Sequence, residues 1–429
     1  MVGCRAARPG ATLAGMTALR HPFARRRAAL GAAVAAAVTA ASAVGLPALA
    51  DGGADTGPPA TFRLPEPTGP HDVGTLDLHL VDADRPDPLA DGEPRELMAS
   101  VWYPAEHRRG KPATPYLSDG VARIYDQTSG HMGIDPGEVD FAGARTHAQT
   151  RAPVADGLTG APVVVYSPGG GSPRFLGTTL VEELASHGFV VVTVDHPHQA
   201  PVEYPDRMTM PAPDPDMAAM LADRADDLSF VIDTIEELAA GAEPDAEGRP
   251  LPDGLAGALD PERVGVFGHS MGGFATAEAM LDDPRIDVGA DLDGSMSPKY
   301  GRASQEGVDR PFLLMGGGEN GDEGQPHHHL TTPEWNDFWA NSPGWKRDLY
   351  LADAEHMSFT DFQAVFPQIR RPAGMDPEAV EGAIGTISPM RSVAVQRTYV
   401  TALFDHHLRG GPGDPFDTPS RYPQAEFID

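Results

Sequence analysis

The apolar positions of this chain fall into two periods. Near the start of the folded part, Thr75-Leu76-Asp77-Leu78-His79-Leu80 alternates polar with apolar, as a half-buried strand does. Glu96 to Tyr103 reads as a second strand, closed by Pro104, and the polar, Pro-punctuated stretch 82–93 between them predicts an antiparallel hairpin. Further on the runs become continuously apolar. Pro162-Val163-Val164-Val165-Tyr166, Phe189 to Val194, Arg263 to Phe267, Ile286 to Leu292, Pro311 to Met315 and Arg347 to Leu351 read as strands buried on both faces of a parallel sheet. Between them lie helical patterns: Leu176–His187, Asp216–Ala240 with Leu221, Leu228, Val231, Ile232, Ile235 and Leu238 on one stripe, the stretch after Ser270 to about Asp282, 333–344 and 389–408. Strands alternating with helices predict one doubly wound α/β domain, with a mostly parallel central sheet and helices on both faces.

The connections are long. Residues 51–70 are rich in Gly, Pro and Thr and read as a flexible lead-in, so the domain is expected over 71–429. Residues 105–160 show weak periodicity, with short helices expected near 117–129 and 136–145. An insertion of this length is expected to serve as a cap or to carry function. The stretches 196–215 and 241–260 are Pro-rich loops.

Residues 1–50 stand apart. They carry six arginines and no acidic residue, then an apolar run from Ala28 to Leu46 and Ala48-Leu49-Ala50 before Asp51. This is the layout of an export signal cleaved near Ala50–Asp51, and Arg25-Arg26-Arg27 points to the twin-arginine type, with Sec export as the alternative. The run is Ala-rich, interrupted by Thr39, Ser42 and Gly45, and ends at Pro47, which argues against a membrane anchor. Secretion is the expectation. The one cysteine, Cys4, lies in the leader, so the remaining chain has no disulfide, no cysteine metal site and no cysteine nucleophile. The formal net charge of −30 makes nucleic acid and anionic membranes poor partners.

The chemistry centres on Gly268-His269-Ser270-Met271-Gly272, which follows an apolar strand and precedes a small-residue helix. This is G-x-S-x-G in its strand–turn–helix setting, where a serine hydroxyl is held clear of the backbone and the flanking glycines avoid a Cβ collision. An acyl-transfer serine needs a base and an acid that orients the base. His356, on the loop after the last strand, is the candidate base. Asp293, at the end of the strand after the elbow helix, and Asp322, one strand later, both keep the order serine, acid, histidine; position does not choose between them. The residue after the nucleophile, Met271, supplies one oxyanion donor, and Gly170 in Pro168-Gly169-Gly170-Gly171 is the candidate for the other. His269 is a neighbour of the nucleophile along the turn and is expected to point elsewhere. His196 and His198 are expected to line the pocket, and His327-His328-His329 is read as a solvated loop rather than a metal site. No metal or cofactor is required.

Ser167-Pro168-Gly169-Gly170-Gly171, Leu184-Ala185-Ser186-His187-Gly188-Phe189, the Gly-His-Ser-Met-Gly-Gly elbow and His356-Met357-Ser358-Phe359-Thr360-Asp361-Phe362 together resemble the platelet-activating-factor acetylhydrolase-like α/β-hydrolases, over roughly 162–362. Bacterial secreted lipases and polyester hydrolases share much of this pattern. The resemblance implies the α/β-hydrolase fold and an acid at Asp293, since that branch takes it from the strand directly after the elbow helix; the lipase and polyesterase branch would use Asp322. Pro168 stands where the family often has histidine. The expectation is a secreted serine carboxylic-ester hydrolase acting on a short-acyl or lipid-like ester through Ser270, His356 and Asp293. A serine peptidase, or a non-catalytic binding protein on the same fold, are the alternatives from other classes. No stable membrane insertion is expected, since no basic amphipathic helix is visible.

Overall fold

The computed structural model describes residues 57–321, 324–411 and 416–429. The expected leader, residues 51–56 of the lead-in and Asp322 lie outside the described residues. The strands are β1 (Asp72–Pro86), β2 (Pro94–Ala105), β3 (Gln149–Thr150), β4 (Ala161–Ser167), β5 (Val190–Val194), β6 (Val202–Glu203), β7 (Met208–Thr209), β8 (Leu259–His269), β9 (Ile286–Leu292), β10 (Phe312–Gly317), β11 (Lys346–Leu351) and β12 (Ala425–Phe427). Ten of them form one sheet in the order β12-β11-β10-β9-β8-β4-β5-β2-β1-β3; β6 and β7 make a separate hairpin. From β5 to β11 every pairing is parallel. The β1–β2 hairpin joins antiparallel at one side and β12 antiparallel at the other. This is the expected doubly wound arrangement.

The continuous apolar runs are explained by two covered faces. Val163 and Val165 pack with Leu228, Val231 and Phe274 from helices Met217–Ala239 and Met271–Asp282. Val164 and Tyr166 point the other way, against Leu180 and Leu184 of helix Thr178–Ser186 and Val400 and Phe404 of helix Pro389–Arg409. The two-residue period of a strand thus feeds two cores at once. Gly265 lets the second layer close in, because a Cβ there would lie 2.4 Å from the Phe404 ring.

A third core lies outside the sheet, and it corrects two expectations. The lead-in is packed over residues 57–70: Phe62 and Leu64 are buried, and Ala60 bridges to Val139. Alternation at Phe62 and Leu64 is the apolar signal that the Gly and Pro content masked. Within the 105–160 insertion, helix Asp119–Thr128 forms as expected, but 136–145 is turns rather than helix, with Gly137 at positive φ. The insertion buries Tyr116, Val121, Ile134 and Phe141 against Phe362, Val365, Phe366 and Ile369. Those last four belong to helix Phe362–Ile369, which with helix Pro377–Ile384 completes this small layer. Asp361 ties it to the main body: its carboxylate accepts from the Thr178 and Thr179 N–H groups at 3.0 and 2.9 Å, so it caps helix Thr178–Ser186, and Tyr116 O–H donates to it at 3.0 Å. Among the described residues no helix is long and apolar enough to cross a membrane.

Candidate active site

Ser270 sits between the end of β8 and the elbow helix at φ 56° and ψ −122°, a conformation that a non-glycine residue holds only under constraint. Its N–H donates to Leu292 O at 2.9 Å, and its own carbonyl accepts from Gly273 at 3.0 Å. A Cβ on Gly268 would fall 2.2 Å from the Gly272 carbonyl carbon, and one on Gly272 would fall 2.0 Å from Ser167 O. The turn therefore closes only with glycine on both sides, and it leaves Ser270 half-exposed at the head of the helix.

Asp293 follows β9 at φ 60°. One oxygen accepts from His356 Nδ1 at 2.7 Å and from Asn320 at 3.2 Å; the other accepts from His327 Nδ1 at 2.8 Å and from the Gly317 N–H at 3.0 Å. Burial pushes this carboxyl up, but the two histidines outweigh it and hold Asp293 well below the usual carboxylate range. His356 opens a single turn, His356–Phe359, closed by a reciprocal box between Glu355 and Ser358. Its side chain keeps 35% of its surface, while that of Asp293 keeps none. The acid is thus enclosed and the base reaches solvent. Among the described residues no hydrogen bond joins Ser270 Oγ to His356; contacts of this kind tighten when substrate is bound.

One histidine expectation is corrected here. The 327–329 tract is not a solvated loop: His327 and His329 are buried, His327 against Trp335 with ring centroids 4.0 Å apart and His329 on Asp348 at 2.8 Å. His269 packs against the base. Its Nε2 donates to the His356 carbonyl at 3.0 Å, with ring centroids 4.6 Å apart. Burial, and then the neighbouring His356, push His269 down to about 3, so the ring is neutral and serves as a fixed brace. Among the described residues no cluster of three or more His, Cys, Asp or Glu side chains is arranged to hold a metal.

Asp291, in β9 two residues before Asp293, shows the opposite electrostatics. Burial raises its pKa well above the ordinary value of 3.8, against a single N–H donated by Gly294 at 2.9 Å. A raised folded pKa means that the stability tied to the protonated form is complete below the unfolded value and is lost as pH rises towards the folded one. Asp291→Asn imitates the protonated acid. The variant is expected to keep ester hydrolysis, and thermal melts should show its Tm gaining on the wild type from pH 5 to pH 8. A gap that is constant with pH would contradict this.

The Gly-rich loop after β4 lies against the elbow. A Cβ on Gly169 would fall 2.8 Å from His269 Nδ1 and 3.3 Å from Ser270 Cβ, and one on Gly170 would touch the Met271 side chain at 3.9 Å. Gly170 and Met271, both half-buried, are therefore neighbours beside Ser270. His196 does not line a pocket. It is buried behind this loop, bonded to Ser167 and Asp227. His198 is half-buried, with Nε2 3.3 Å from Asp87. Arg224, absent from the sequence reading, is fully buried beneath the same loop.

Known proteins resemble this chain in sequence and, for one solved structure, in fold. The family described as platelet-activating factor acetylhydrolase, isoform II, matches residues 58–206, from the packed lead-in through the Gly-rich loop. A probable 1-alkyl-2-acetylglycerophosphocholine esterase of Arthroderma benhamiae is 26% identical over 408 residues, 86% of this chain and 95% of that protein. The platelet-activating factor acetylhydrolase of Gallus gallus is 24% identical over 359 residues, 75% of this chain and 78% of its own. Among solved structures, a ferulic acid esterase from Streptomyces cinnamoneus superimposes with a TM-score of 0.71 at 36% identity, over 86% of this chain and 99% of that one. Since that likeness spans nearly the whole of the relative at more than a third identity, and the acetylhydrolase pattern covers the Gly-rich loop, the chain belongs to the platelet-activating-factor acetylhydrolase-like α/β-hydrolases and is a carboxylic ester hydrolase.

Proposed function

We propose that this is an exported serine esterase that cleaves short-acyl or lipid-like esters through an acyl-enzyme. Ser270 Oγ attacks the ester carbonyl carbon while His356 Nε2 takes the hydroxyl proton. Asp293 fixes the His356 tautomer by accepting from Nδ1 and stabilises the imidazolium that forms. The Gly170 and Met271 N–H groups receive the oxyanion, with the positive end of the elbow helix behind them. The tetrahedral adduct collapses, the alcohol leaves with the proton from His356, and water repeats the cycle to free the acid. The observation that carries this reading is the 2.7 Å Asp293–His356 hydrogen bond beside a serine held in a strained turn. Export rests on the arginine-rich, then apolar, 1–50 leader with its Ala-x-Ala site.

The relatives are named for two substrate types, acetylated glycerophosphocholines and ferulic acid esters. An aromatic acyl group is the second reading, favoured by the higher identity to the ferulic acid esterase. Turnover of p-nitrophenyl acetate, butyrate and octanoate, methyl ferulate and a p-nitroanilide separates these. The proposal predicts the highest kcat/KM on acetate or butyrate, falling about tenfold or more at octanoate. Preference for methyl ferulate moves the substrate to aromatic acyl esters. Turnover of the anilide alone would replace the esterase reading with a peptidase.

A further inference from the structure

Behind the Gly-rich loop lies a second serine–histidine–aspartate series that plays no part in the scheme above. Ser167 Oγ is 2.8 Å from His196 Nε2, and His196 Nδ1 is 2.8 Å from Asp227 Oδ2. The residues come from the ends of β4 and β5 and from helix Met217–Ala239. The side chains of His196 and Asp227 have no exposed surface, and Ser167 is equally buried. Asp227 also accepts from Arg95 at 2.7 and 2.8 Å and from Arg85 at 2.6 Å.

The proton inventory follows from these partners. Two guanidinium groups keep Asp227 ionised, so it accepts the His196 Nδ1 proton. Burial, and then the positive charge of Arg224, push His196 down to about 4, so Nε2 carries a lone pair and receives the Ser167 hydroxyl proton. That leaves Ser167 Oγ to accept from Arg224 Nη1 at 3.3 Å. A hydroxyl enclosed in this way, and bonded to a cation, is not a nucleophile.

Arg224 reaches further along the loop. Its Nη1 donates to Pro168 O, its Nη2 to Gly169 O at 3.2 Å and its Nε to Gln199 Oε1 at 2.6 Å; the Gln199 carbonyl in turn accepts from Gly171 N–H at 2.9 Å. A trans peptide is planar, with C=O and N–H pointing opposite ways. A guanidinium holding the Gly169 carbonyl therefore aims the N–H of the same peptide, that of Gly170, away from Arg224. A cation on the carbonyl also polarises that N–H into a stronger donor.

We infer that Arg224, supported by the Ser167–His196–Asp227 relay, is the positioning residue that sets and polarises the Gly170 oxyanion donor; this rests on the serine esterase reading. The test uses the full chain as Arg224→Lys and Ser167→Ala, with Ser270→Ala alongside. Steady-state kinetics on p-nitrophenyl butyrate is paired with inhibition by a trifluoromethyl ketone, whose tetrahedral adduct needs the oxyanion donors. Lysine keeps the charge but cannot span two carbonyls. Arg224→Lys is expected to lose about 10²-fold in kcat, with KM within about threefold and ketone affinity falling in step, as for removal of one oxyanion donor. Ser167→Ala, the milder change that protects against a misfolded Arg224 variant, is expected to lose about tenfold by the same split. A lowered Tm with unchanged kcat and ketone affinity per folded site overturns the inference and leaves the cluster a purely structural brace. Because Ser270→Ala runs in parallel, ester turnover surviving in that variant refutes Ser270 as the nucleophile separately, whatever the Arg224 result.

Discussion

Ser270→Ala is expected to lower kcat on a p-nitrophenyl ester by about 10⁶-fold while leaving the fold intact, as removal of the nucleophile does in serine hydrolases. The size follows from the chemistry. Without the hydroxyl there is no acyl-enzyme, and the oxyanion donors and bound-substrate orientation alone retain only about 10³–10⁴ over water. Alanine should also be tolerated structurally. The strained backbone at Ser270 is held by the Ser270 N–H to Leu292 O bond and by the Gly273 N–H on the Ser270 carbonyl, none of which involves the side chain. Circular dichroism and Tm close to wild type, with activity lost, is the expected pair of results.

Asp293→Asn is expected to cost about 10⁴-fold in kcat with little change in KM. The carboxylate accepts on both oxygens, from His356 and Asn320 on one and from His327 and Gly317 on the other. An asparagine keeps one acceptor. His327 and the Gly317 N–H compete for it, which turns the amide NH₂ towards His356. Nδ1 must then accept, the proton moves to Nε2, and the base can no longer take the Ser270 proton. Asp322→Asn, the substitution for the alternative acid, is expected to change kcat by less than about threefold, because His356 Nδ1 is already bonded to Asp293. Loss at Asp322 with activity retained at Asp293 would move the protein to the lipase and polyesterase pattern. The contrast with Asp291 is instructive: two carboxyls two residues apart are driven in opposite directions because only one meets histidines.

The parallel centre of the sheet was legible in the sequence because strands such as β4 and β5 are buried on both faces and carry the apolar signal at nearly every position, whereas the edge strands β3 and β12, two and three residues long, were too short to read. Helix Met217–Ala239 was equally legible from its stripe, within a residue at each end. What else escaped was of two kinds. The small layer under Phe362–Ile369 and Pro377–Ile384 is built from short helices rich in Gly and Pro around them, too brief for a period to emerge. The polar interior was missed because polarity was read as exposure. Arg224 and Asp227 lie three residues apart on the same stripe as Leu221, Leu228 and Val231, and a charge inside an apolar stripe is the mark of a buried, paired group. Likewise His327 lies in the loop after β10, but three consecutive histidines resemble a solvated tract. Alternate burial within the tract arises from Trp335 and Trp339, which stack on His327 and His329 from a later helix. The Ser270 elbow was legible because its glycines are dictated by backbone contacts of about 2 Å, which no other residue satisfies.

The central claim is that Ser270 is the nucleophile of an ester hydrolase, and covalent titration tests it most directly. The wild-type chain is treated with a p-nitrophenyl alkylphosphonate, the released nitrophenol is counted against protein, and the modified peptide is sequenced by mass spectrometry. The account predicts one equivalent released, loss of ester turnover in proportion, a single adduct on Ser270, and no adduct in Ser270→Ala, with Ser167 unlabelled in both. An adduct on another residue, or full ester turnover after Ser270 is modified, would contradict it.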